Sequence, residues 1–429
     1  MSDTLARAAI VAVGDELLAG AHRDQNGPEI AQRLAAHGIP VGEVRVVSDD
    51  EEAIAAAIGA LLAPGTLVVV TGGLGPTLDD VTRHGVARAL NLPLDESGAA
   101  LREIEAWFAA RGLPVGEANR RQALVPRGAA IVPNRAGTAP GFRVAARGGH
   151  VVALPGPPRE LAVVLAEEVL PWLERDGLAG EAFPTHRFHL FGLAESAFAE
   201  RVGAWMDRDA DPRMGCTAAQ GVLTVVLRAG ARSEESRRRL AARVDEVRAR
   251  VGGHVFSETT PLLEEVLGAA LLAGGISVTT AESCTAGLVA ARLGGVPGIS
   301  AVFAEGTVAY ANAAKTRALG VAVPLLAAHG AVSGPVAEAM AAGAARRTGA
   351  RLALAVTGIA GPSGGTLEKP VGLVWFATSL DGELASASRR FPPRDRQGIR
   401  SLAATAALFL AWRRLRDAGL APPPFPGAP

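Results

Sequence analysis

Three residues capable of acid–base chemistry are rare in this chain and lie close together in it. Of the 43 basic residues only two are lysines, Lys315 and Lys369, and the single tyrosine, Tyr310, lies just before the first. A buried lysine amine can lose its proton near neutral pH, whereas an arginine guanidinium cannot. A lysine retained in so arginine-rich a chain is therefore a candidate general base. The alternative is codon usage that depletes lysine and tyrosine and leaves the survivors at random.

A serine and a cysteine stand where a nucleophile is expected. The run Glu282–Thr285 follows an apolar strand and precedes a predicted helix. We therefore expect Ser283 to face the positive end of that helix and its backbone donors. A serine nucleophile needs a base, and in this part of the chain the candidates are Lys315 and one histidine, His329. The alternatives are that Ser283 is only a helix N-cap and that Cys284 is either the nucleophile or a small buried residue.

Glycine-rich loops follow apolar strands at two places. TGGLGPTLDDVT (71–82) opens a predicted helix, and TGIAGPSGGT (357–366) ends close to the second lysine. Backbone N–H groups in such loops bind anions such as phosphate, although the first loop fits neither the P-loop nor the dinucleotide fingerprint. Asp79 and Asp80 at the predicted helix start, with Asp24 nearby, can hold a divalent cation against a diphosphate. Alternatively, the two aspartates only favour the helix dipole.

The C-terminal groups are predicted to form one pocket. Tyr310 and Lys315 follow a strand that lies in sequence between Ser283 and the second glycine loop. Ligands bind at the carboxyl edge of open α/β sheets, so a hydroxyl, an amine, a phenol and an anion-binding loop should meet there. These groups suit the hydrolysis of an amide or ester on a phosphorylated small molecule.

Alternating strand and helix patterns predict a multidomain α/β protein. Two α/β sheet domains with helices on both faces, residues 1–173 and 258–418, are expected to flank a small α+β module at 174–257. The proline-rich tail, 419–429, is predicted to be disordered.

Composition narrows the expected setting and partners. The formal net charge is zero and no basic block occurs, which argues against direct nucleic-acid binding. The apolar runs are too short to span a bilayer, and the N-terminus does not have the pattern of a signal peptide. Two cysteines, Cys216 and Cys284, exclude a disulfide framework and suit a reducing compartment. We therefore expect a cytoplasmic protein without a membrane partner.

Several motifs in one order resemble the CinA family, competence/damage-inducible protein A, over essentially the whole length. VGDELLAG and TGGLGPTLDDVT resemble the molybdopterin-binding fold of the MoaB/Mog group, which in CinA proteins is associated with metal-dependent ADP-ribose pyrophosphatase activity. TAESCTAG, VAYANAAK, HGAVS and TGIAGPSGGT with KPVG are similar to the nicotinamide-nucleotide amidohydrolases. These convert nicotinamide mononucleotide to nicotinic acid mononucleotide and ammonia. Ala311 departs from a serine that the family often has.

The resemblance implies a role for each matching residue. Ser283 is the implied nucleophile, Lys315 its base, and Tyr310 a group that orients the pair or the substrate. The implied nucleotide-binding residues of the same domain are Thr285, Thr357, Gly358, Gly361, Gly365 and Lys369, the last as a phosphate contact. In the first domain the implied diphosphate site is Gly72, Gly73, Gly75 and Thr77, beside a metal at Asp24, Asp79 and Asp80.

The resemblance implies a bifunctional enzyme of pyridine-nucleotide recycling. It would deamidate nicotinamide mononucleotide in its C-terminal domain and hydrolyse ADP-ribose to AMP and ribose 5-phosphate in its N-terminal domain. Only the N-terminal activity would need a cofactor, a divalent metal ion, and the protein is expected to be a homodimer. The alternatives are a nucleotide- or pterin-binding protein without turnover and an accessory factor in competence or DNA repair.

Overall fold

The chain folds into two compact units that divide between Phe183 and Pro184. The computed structural model describes residues 5–207 and 209–425. No helix in these two ranges is both long and apolar enough to cross a membrane.

The described residues of the first unit contain eight strands, of which six form its main sheet. The strands are β1 Arg7–Val13, β2 Val41–Val47, β3 Thr66–Thr71, β4 Leu94–Glu96, β5 Leu124–Pro126, β6 Ala130–Val132, β7 Gly141–Ala146 and β8 Gly149–Leu154. Its helices are α1 Asp15–Leu18, α2 Asn26–Ala36, α3 Glu51–Leu61, α4 Thr82–Leu90, α5 Gly98–Ala109, α6 Glu117–Arg120, α7 Pro158–Val164 and α8 Leu170–Arg175. A π-helical segment, Leu165–Val169, joins the last two helices.

The strand order of this sheet is β2-β1-β3-β8-β7-β6, and β4 and β5 form a separate pair. The first four strands are parallel, whereas β7 and β6 are antiparallel additions at one edge. Strand β3 is buried along its whole length because helices cover both faces. Leu67 and Val69 join one core, and Val68 and Val70 join the other.

The second unit contains two sheets. A four-stranded antiparallel sheet has the order β10-β11-β9-β12 and packs against two helices. Its elements are β9 Thr185–Phe191, α9 Glu195–Val202, β10 Arg213–Ala219, β11 Val222–Arg228, α10 Glu234–Val251 and β12 Val255–Ser257.

The other sheet has the order β14-β13-β15-β16-β17. Strands β14, β13 and β15 are parallel, and β16 and β17 extend the sheet in antiparallel fashion. The strands are β13 Val278–Glu282, β14 Phe303–Val308, β15 Leu352–Gly358, β16 Leu373–Leu380 and β17 Glu383–Arg390. The helices are α11 Leu263–Gly274, α12 Leu288–Gly294, α13 Asn312–Leu319, α14 Val323–His329, α15 Gly334–Thr348 and α16 Arg396–Asp417.

Helices cover both faces of this second α/β sheet. Leu352, Leu354 and Val356 of β15 share a core with α11, α12 and the long helix α16. Alanines of β15 and β16 face the alanine-rich helix α15 instead. The predicted architecture, two α/β sheet domains and a smaller α+β module, is therefore confirmed.

Two sequence-based expectations were wrong in detail. Helix α4 begins at Thr82 rather than at Asp79, because the Asp80 carboxylate accepts hydrogen bonds from the Thr77 backbone and hydroxyl and closes a turn before the helix. Part of the predicted disordered tail is packed. Phe425 is 6% exposed and joins the core of the antiparallel sheet, under the guanidinium of Arg248. Residues 426–429 of the tail lie outside the described residues.

Phe425→Ala should destabilise the second unit by about 3 kcal/mol, because it leaves a cavity among the valines of α10. Leu367→Ala is the matched control, since that side chain is fully exposed, and it should change stability by less than about 0.5 kcal/mol. Urea denaturation followed by circular dichroism measures both changes. Equal midpoints for the two variants would contradict the packing of the tail.

Candidate active site

The ends of three parallel strands bring the predicted catalytic residues together. Ser283 follows β13 directly, and its backbone N–H donates to the carbonyl of Val356 in β15 at 2.9 Å. The N–H of Ala309, just after β14, donates to the carbonyl of Glu282 at 2.8 Å. Lys315 lies in the first turn of α13, the helix that follows β14. The parallel order therefore places serine and lysine at one edge of the sheet.

A direct contact joins the serine and the lysine. Lys315 Nζ lies 3.0 Å from Ser283 Oγ, and it donates to the carbonyls of Ala309 at 3.0 Å and Tyr310 at 2.9 Å. A neutral amine has two N–H donors and one lone pair. If the two carbonyls accept both N–H groups, the lone pair is left for the Ser283 hydroxyl proton. This geometry suits a lysine that acts as a base toward a serine nucleophile.

Burial shifts the pKa of Lys315 and the pKa of Cys284, the residue after the serine. Lys315 is 1% exposed, and this burial lowers the pKa of its amine. Burial raises the pKa of the Cys284 thiol to about 12, so the thiol stays protonated at neutral pH. Cys284 packs in the apolar core beneath α16, which favours the buried-residue interpretation over the nucleophile. Ser283 is 8% exposed, and no hydrogen bond within the described part of the chain joins it to His329.

The expectation that Ser283 faces the positive end of a helix was wrong. Helix α12 begins at Leu288, and its first N–H groups are occupied by the carboxylate of Glu282. That carboxylate accepts from the backbone of Gly287, Val289 and Ala290 at 3.0, 3.1 and 2.8 Å. Glu282 is thus a buried cap for α12, and the helix end provides no free donors for a substrate oxyanion.

Two arginines of α16 that the sequence analysis did not predict donate hydrogen bonds to the segments that form the site. Arg396 donates to the carbonyl of Gly361 at 2.8 Å and to the phenol oxygen of Tyr310. Arg400 donates to the carbonyls of Cys284 at 3.2 Å and Thr285 at 2.9 Å. The first turns of α16 therefore hold both the turn after the nucleophile and the second glycine loop.

The other predicted residues of this domain differ in exposure, since Tyr310 is exposed whereas Thr285 and Thr357 are buried. Tyr310 is 52% exposed, and its carbonyl, rather than its phenol, contacts Lys315. The hydroxyl of Thr357 donates to Ala331 at 2.8 Å, and Lys369 Nζ donates to the carbonyl of His329 at 2.5 Å. The Thr285 hydroxyl is fully buried without a hydrogen-bond partner in the described chain. Of the predicted glycines, Gly358 ends β15, and Gly361 and Gly365 lie in the loop that follows, where Arg396 donates to the carbonyl of Gly361.

In the first unit a cavity of about 450 Å³ lies at the carboxyl edge of the sheet. Of the predicted ligand-binding residues, its lining includes Gly72, Gly73, Asp24, Asp79 and Asp80. The predicted Gly75 and Thr77 lie outside that lining, although the Thr77 N–H donates to the Asp80 carboxylate, which is part of it.

The glycine loop beside this cavity turns its carbonyls away from it. Gly72 O accepts from the Thr82 hydroxyl at 2.8 Å, and Gly73 O accepts from the Thr82 N–H at 3.2 Å. Leu74 O accepts from Arg83 at 2.8 Å. Arg83 is 2% exposed, and although burial lowers its pKa to about 10, it remains a cation at neutral pH. A buried cation behind the loop favours an anion in front of it.

The predicted metal ligands do not form a ready-made metal site. The Asp24 carboxylate accepts from the backbone of Asn26 and Gly27, and Asp80 is engaged by Thr77. Within residues 5–207 and 209–425, no group of three or more histidines, cysteines, aspartates or glutamates is arranged to hold a metal ion. Burial, together with the negative charges of Asp15, Glu16 and Asp79, raises the pKa of the nearby Asp49. The cavity is therefore acidic, but the protein alone supplies no complete coordination shell.

Comparison with known proteins places each part of the chain. Residues 9–175 match the family described as "Probable molybdopterin binding domain", 185–257 the "Damage-inducible protein CinA KH domain", and 261–415 the "CinA C-terminal domain".

Similar proteins include two that match almost from end to end. A CinA-like protein of Geobacter sulfurreducens is 42% identical over 411 residues, which cover 96% of this chain and 99% of that protein. A CinA-like protein of Citrifermentans bemidjiense is 41% identical over 408 residues, 95% of this chain and 97% of its own length. A crystal structure of the competence/damage inducible protein CihA from Agrobacterium tumefaciens shares 43% identity, covering 34% of this chain and 93% of that one, with a TM-score of 0.33. Because the similarity to full-length relatives extends over nearly the whole sequence, the chain belongs to the CinA family.

Proposed function

We propose that the second unit hydrolyses the amide of nicotinamide mononucleotide, giving nicotinic acid mononucleotide and ammonia. The observation that carries this proposal is the 3.0 Å contact between the buried amine of Lys315 and the hydroxyl of Ser283. A base with a lowered pKa beside a serine is the combination that nucleophilic amide hydrolysis requires.

In the proposed reaction Ser283 Oγ attacks the amide carbonyl while Lys315 Nζ takes the hydroxyl proton. The same proton then passes from Lys315 to the departing nitrogen, so ammonia leaves and an ester with Ser283 remains. Water attacks this ester and gives a proton to Lys315, and that proton returns to Ser283 Oγ as the carboxylic acid product leaves. The acid then gives its remaining proton to water or to ammonia, which leaves the carboxylate. The amine alternates between neutral and charged forms, and the carbonyls of Ala309 and Tyr310 hold it in place throughout.

The phosphate of the substrate is proposed to lie at the rim formed by the glycine loop 361–365. Arg396 and Lys369 bring positive charge to this loop: Arg396 donates to the carbonyl of Gly361 within it, and Lys369 donates to the carbonyl of His329 at the end of α14. Positive charge that is fixed before binding favours a phosphate monoester over an uncharged amide. The unpartnered hydroxyl of Thr285 offers a further donor beneath the turn that carries the nucleophile.

For the first unit we propose hydrolysis of ADP-ribose to AMP and ribose 5-phosphate. The diphosphate would face the loop at Gly72 and Gly73, with the cationic Arg83 behind it. A divalent ion, if it takes part, is proposed to arrive with the diphosphate, since Mg²⁺ is commonly held by one or two carboxylates plus substrate phosphates. The alternative for this unit is a nucleotide- or pterin-binding module without turnover, which would use the same loop and the same cation.

Ser283→Ala and Lys315→Arg should each lower ammonia release from nicotinamide mononucleotide by about 10³-fold or more. The first removes the nucleophile, and the second replaces the base by a group that cannot accept a proton. The other lysine provides the matched control. Lys369→Arg should retain activity within about tenfold, because a guanidinium also donates to a carbonyl and a phosphate. An active Lys315→Arg enzyme would show that the base has been misassigned.

The amidase activity should rise with pH through the lowered pKa of Lys315, which lies below the ordinary value of 10.5, because only the neutral amine accepts the serine proton. Between these two pKa values the amine of Lys315 is protonated in the unfolded chain and neutral in the folded one, so its own contribution to stability should rise with pH, whereas the raised pKa of Cys284 acts in the opposite direction. A profile of kcat/KM and a series of urea midpoints measure the two effects. Because Cys284 is present in both proteins, the difference between the wild-type and Lys315→Met midpoints isolates the lysine. This difference should rise with pH in the window, and a difference that falls with pH would contradict the assignment.

Asp79→Asn should lower AMP release from ADP-ribose by about tenfold or more if the acidic cavity is catalytic. The adjacent Leu78→Ala is the control, since that side chain is exposed outside the cavity lining. AMP is measured by chromatography with Mg²⁺, with Mn²⁺ and with chelator. Release only with a metal supports the pyrophosphatase. Tight ADP-ribose binding in calorimetry without AMP under any of these conditions identifies a binding module instead.

A further inference from the structure

A second cationic cavity lies in the second unit, away from Ser283. It has a volume of about 280 Å³ and is lined by the end of β9, by β16 and β17, and by the last turns of α16. Arg389 and Arg413 line it together with the ring of His254, three phenylalanines and the glycines Gly192 and Gly253. No aspartate or glutamate is part of this lining. We call it the arginine cavity.

The two guanidiniums of the arginine cavity lack partners of opposite charge. In the described ranges neither Arg389 nor Arg413 makes an ion pair, and their recorded contacts are with aromatic faces. The Arg389 guanidinium carbon lies 4.8 Å from the centre of the Phe191 ring, and that of Arg413 lies 5.8 Å from the centre of Phe409. These two rings are themselves 4.9 Å apart. One aromatic pair therefore supports two unneutralised cations.

The close approach of these cations is unfavourable in the free protein. Burial and the charge of Arg413 both lower the pKa of Arg389. The stacked Arg416 on the same helix differs from this pair, because it has Asp417 as an ion-pair partner. Arg389 is half-buried and Arg413 is exposed, so the two like charges repel each other without a counter-ion, and an anion between them removes that repulsion.

An adjoining recess adds an independent sign of an anion site. This recess, of about 170 Å³, shares Arg413 with the arginine cavity and is also lined by Arg414. The Nε of Arg414 is buried and has no hydrogen-bond partner in the described chain. Asp417 lines the recess as well, but its carboxylate accepts from Arg416. A buried guanidinium nitrogen without a partner therefore lies on the recess side of Arg413, and the half-buried Arg389 lies on its other side.

The lining fits a small phosphate monoester. Guanidinium groups bind phosphate oxygens in pairs, while the phenylalanine rings and bare glycine backbones leave a flat apolar wall for the rest of the ligand. Gly192 is needed for this shape, because a Cβ there would lie 3.1 Å from a terminal nitrogen of Arg389. The volume is at or below the lower end of about 300–1,000 Å³ that is usual for small-molecule sites, which limits the ligand to about the size of a mononucleotide.

This cavity is separate from the proposed amidase site. Arg400 holds the turn after Ser283, and Arg413 lies 13 residues further along α16, or about 20 Å along the helix axis. We propose that the arginine cavity is a second anion site, which binds a small phosphate monoester between the antiparallel sheet and the α/β sheet of the second unit. This site does not depend on turnover at Ser283.

Residue-resolved protection from phenylglyoxal tests the site in the whole protein. Inorganic phosphate and AMP are the probes, sodium chloride at equal ionic strength is the reference, and peptide mass spectrometry reads each arginine separately. Phosphate should slow the modification of Arg389 and Arg413 at least about fivefold, because a bound anion engages both guanidiniums. The exposed Arg317 on α13 should react at an unchanged rate. Equal protection by chloride and phosphate, or no protection of either arginine, overturns the site.

Calorimetric titration with inorganic phosphate provides the second measurement. Arg413→Met should lose one phosphate-binding event or weaken it at least tenfold, whereas Arg416→Met should bind as the wild type does. Arg416 is the matched control because it stacks on Trp412 but is neutralised by Asp417. Phosphate sites near Ser283 or in the first unit remain in both variants and cancel in the comparison. Unchanged binding by Arg413→Met overturns the site, and Arg389→Met tests it independently if the first variant does not fold.

Discussion

The candidate active site of the second unit depends on the burial of one amine, that of Lys315. Lys315 has almost no exposure and no carboxylate partner among the described residues, so its environment favours the neutral form. The amine contacts three polar groups, which are the carbonyls of Ala309 and Tyr310 and the hydroxyl of Ser283. All three come from chain segments that have just left neighbouring parallel strands, so the register of β13, β14 and β15 determines whether the amine meets the serine.

A helix N-terminus often both fixes the turn that carries a nucleophile and supplies positive charge to the site. Here different residues perform these two tasks. Glu282 satisfies the first N–H groups of α12 and fixes the turn, which removes that helix end as a source of positive potential. Arg396 and Arg400 supply positive charge instead, and they reach the site from the N-terminal turns of α16. Helix α16 has many buried residues along the rest of its length, so these arginines extend from a rigid support.

The sequence predicted the site residues that directly follow strands better than the residues that contact the site from distant parts of the chain. Ser283 and Lys315 were predictable as neighbours because parallel strands end at a common edge. Arg396 was not, since nothing in the sequence separates it from the other arginines, and its contact with Tyr310 spans 86 residues. Arg83 was missed for the same reason, because its role depends on burial behind the glycine loop. Phe425 was missed because proline-rich composition indicates disorder, whereas a single aromatic side chain can hold a tail in place.

The scarcity of lysine also defines what covalent chemistry can do to this protein. Acylating reagents and acyl-transferring enzymes need a free amine at the surface, and one of the two lysine side chains is buried against Ser283. The other, Lys369, is only half-buried, at the edge of the second glycine loop. A reagent selective for lysine side chains would therefore act on the folded protein almost as a single-site label. That label would be placed beside the candidate active site rather than scattered over the surface.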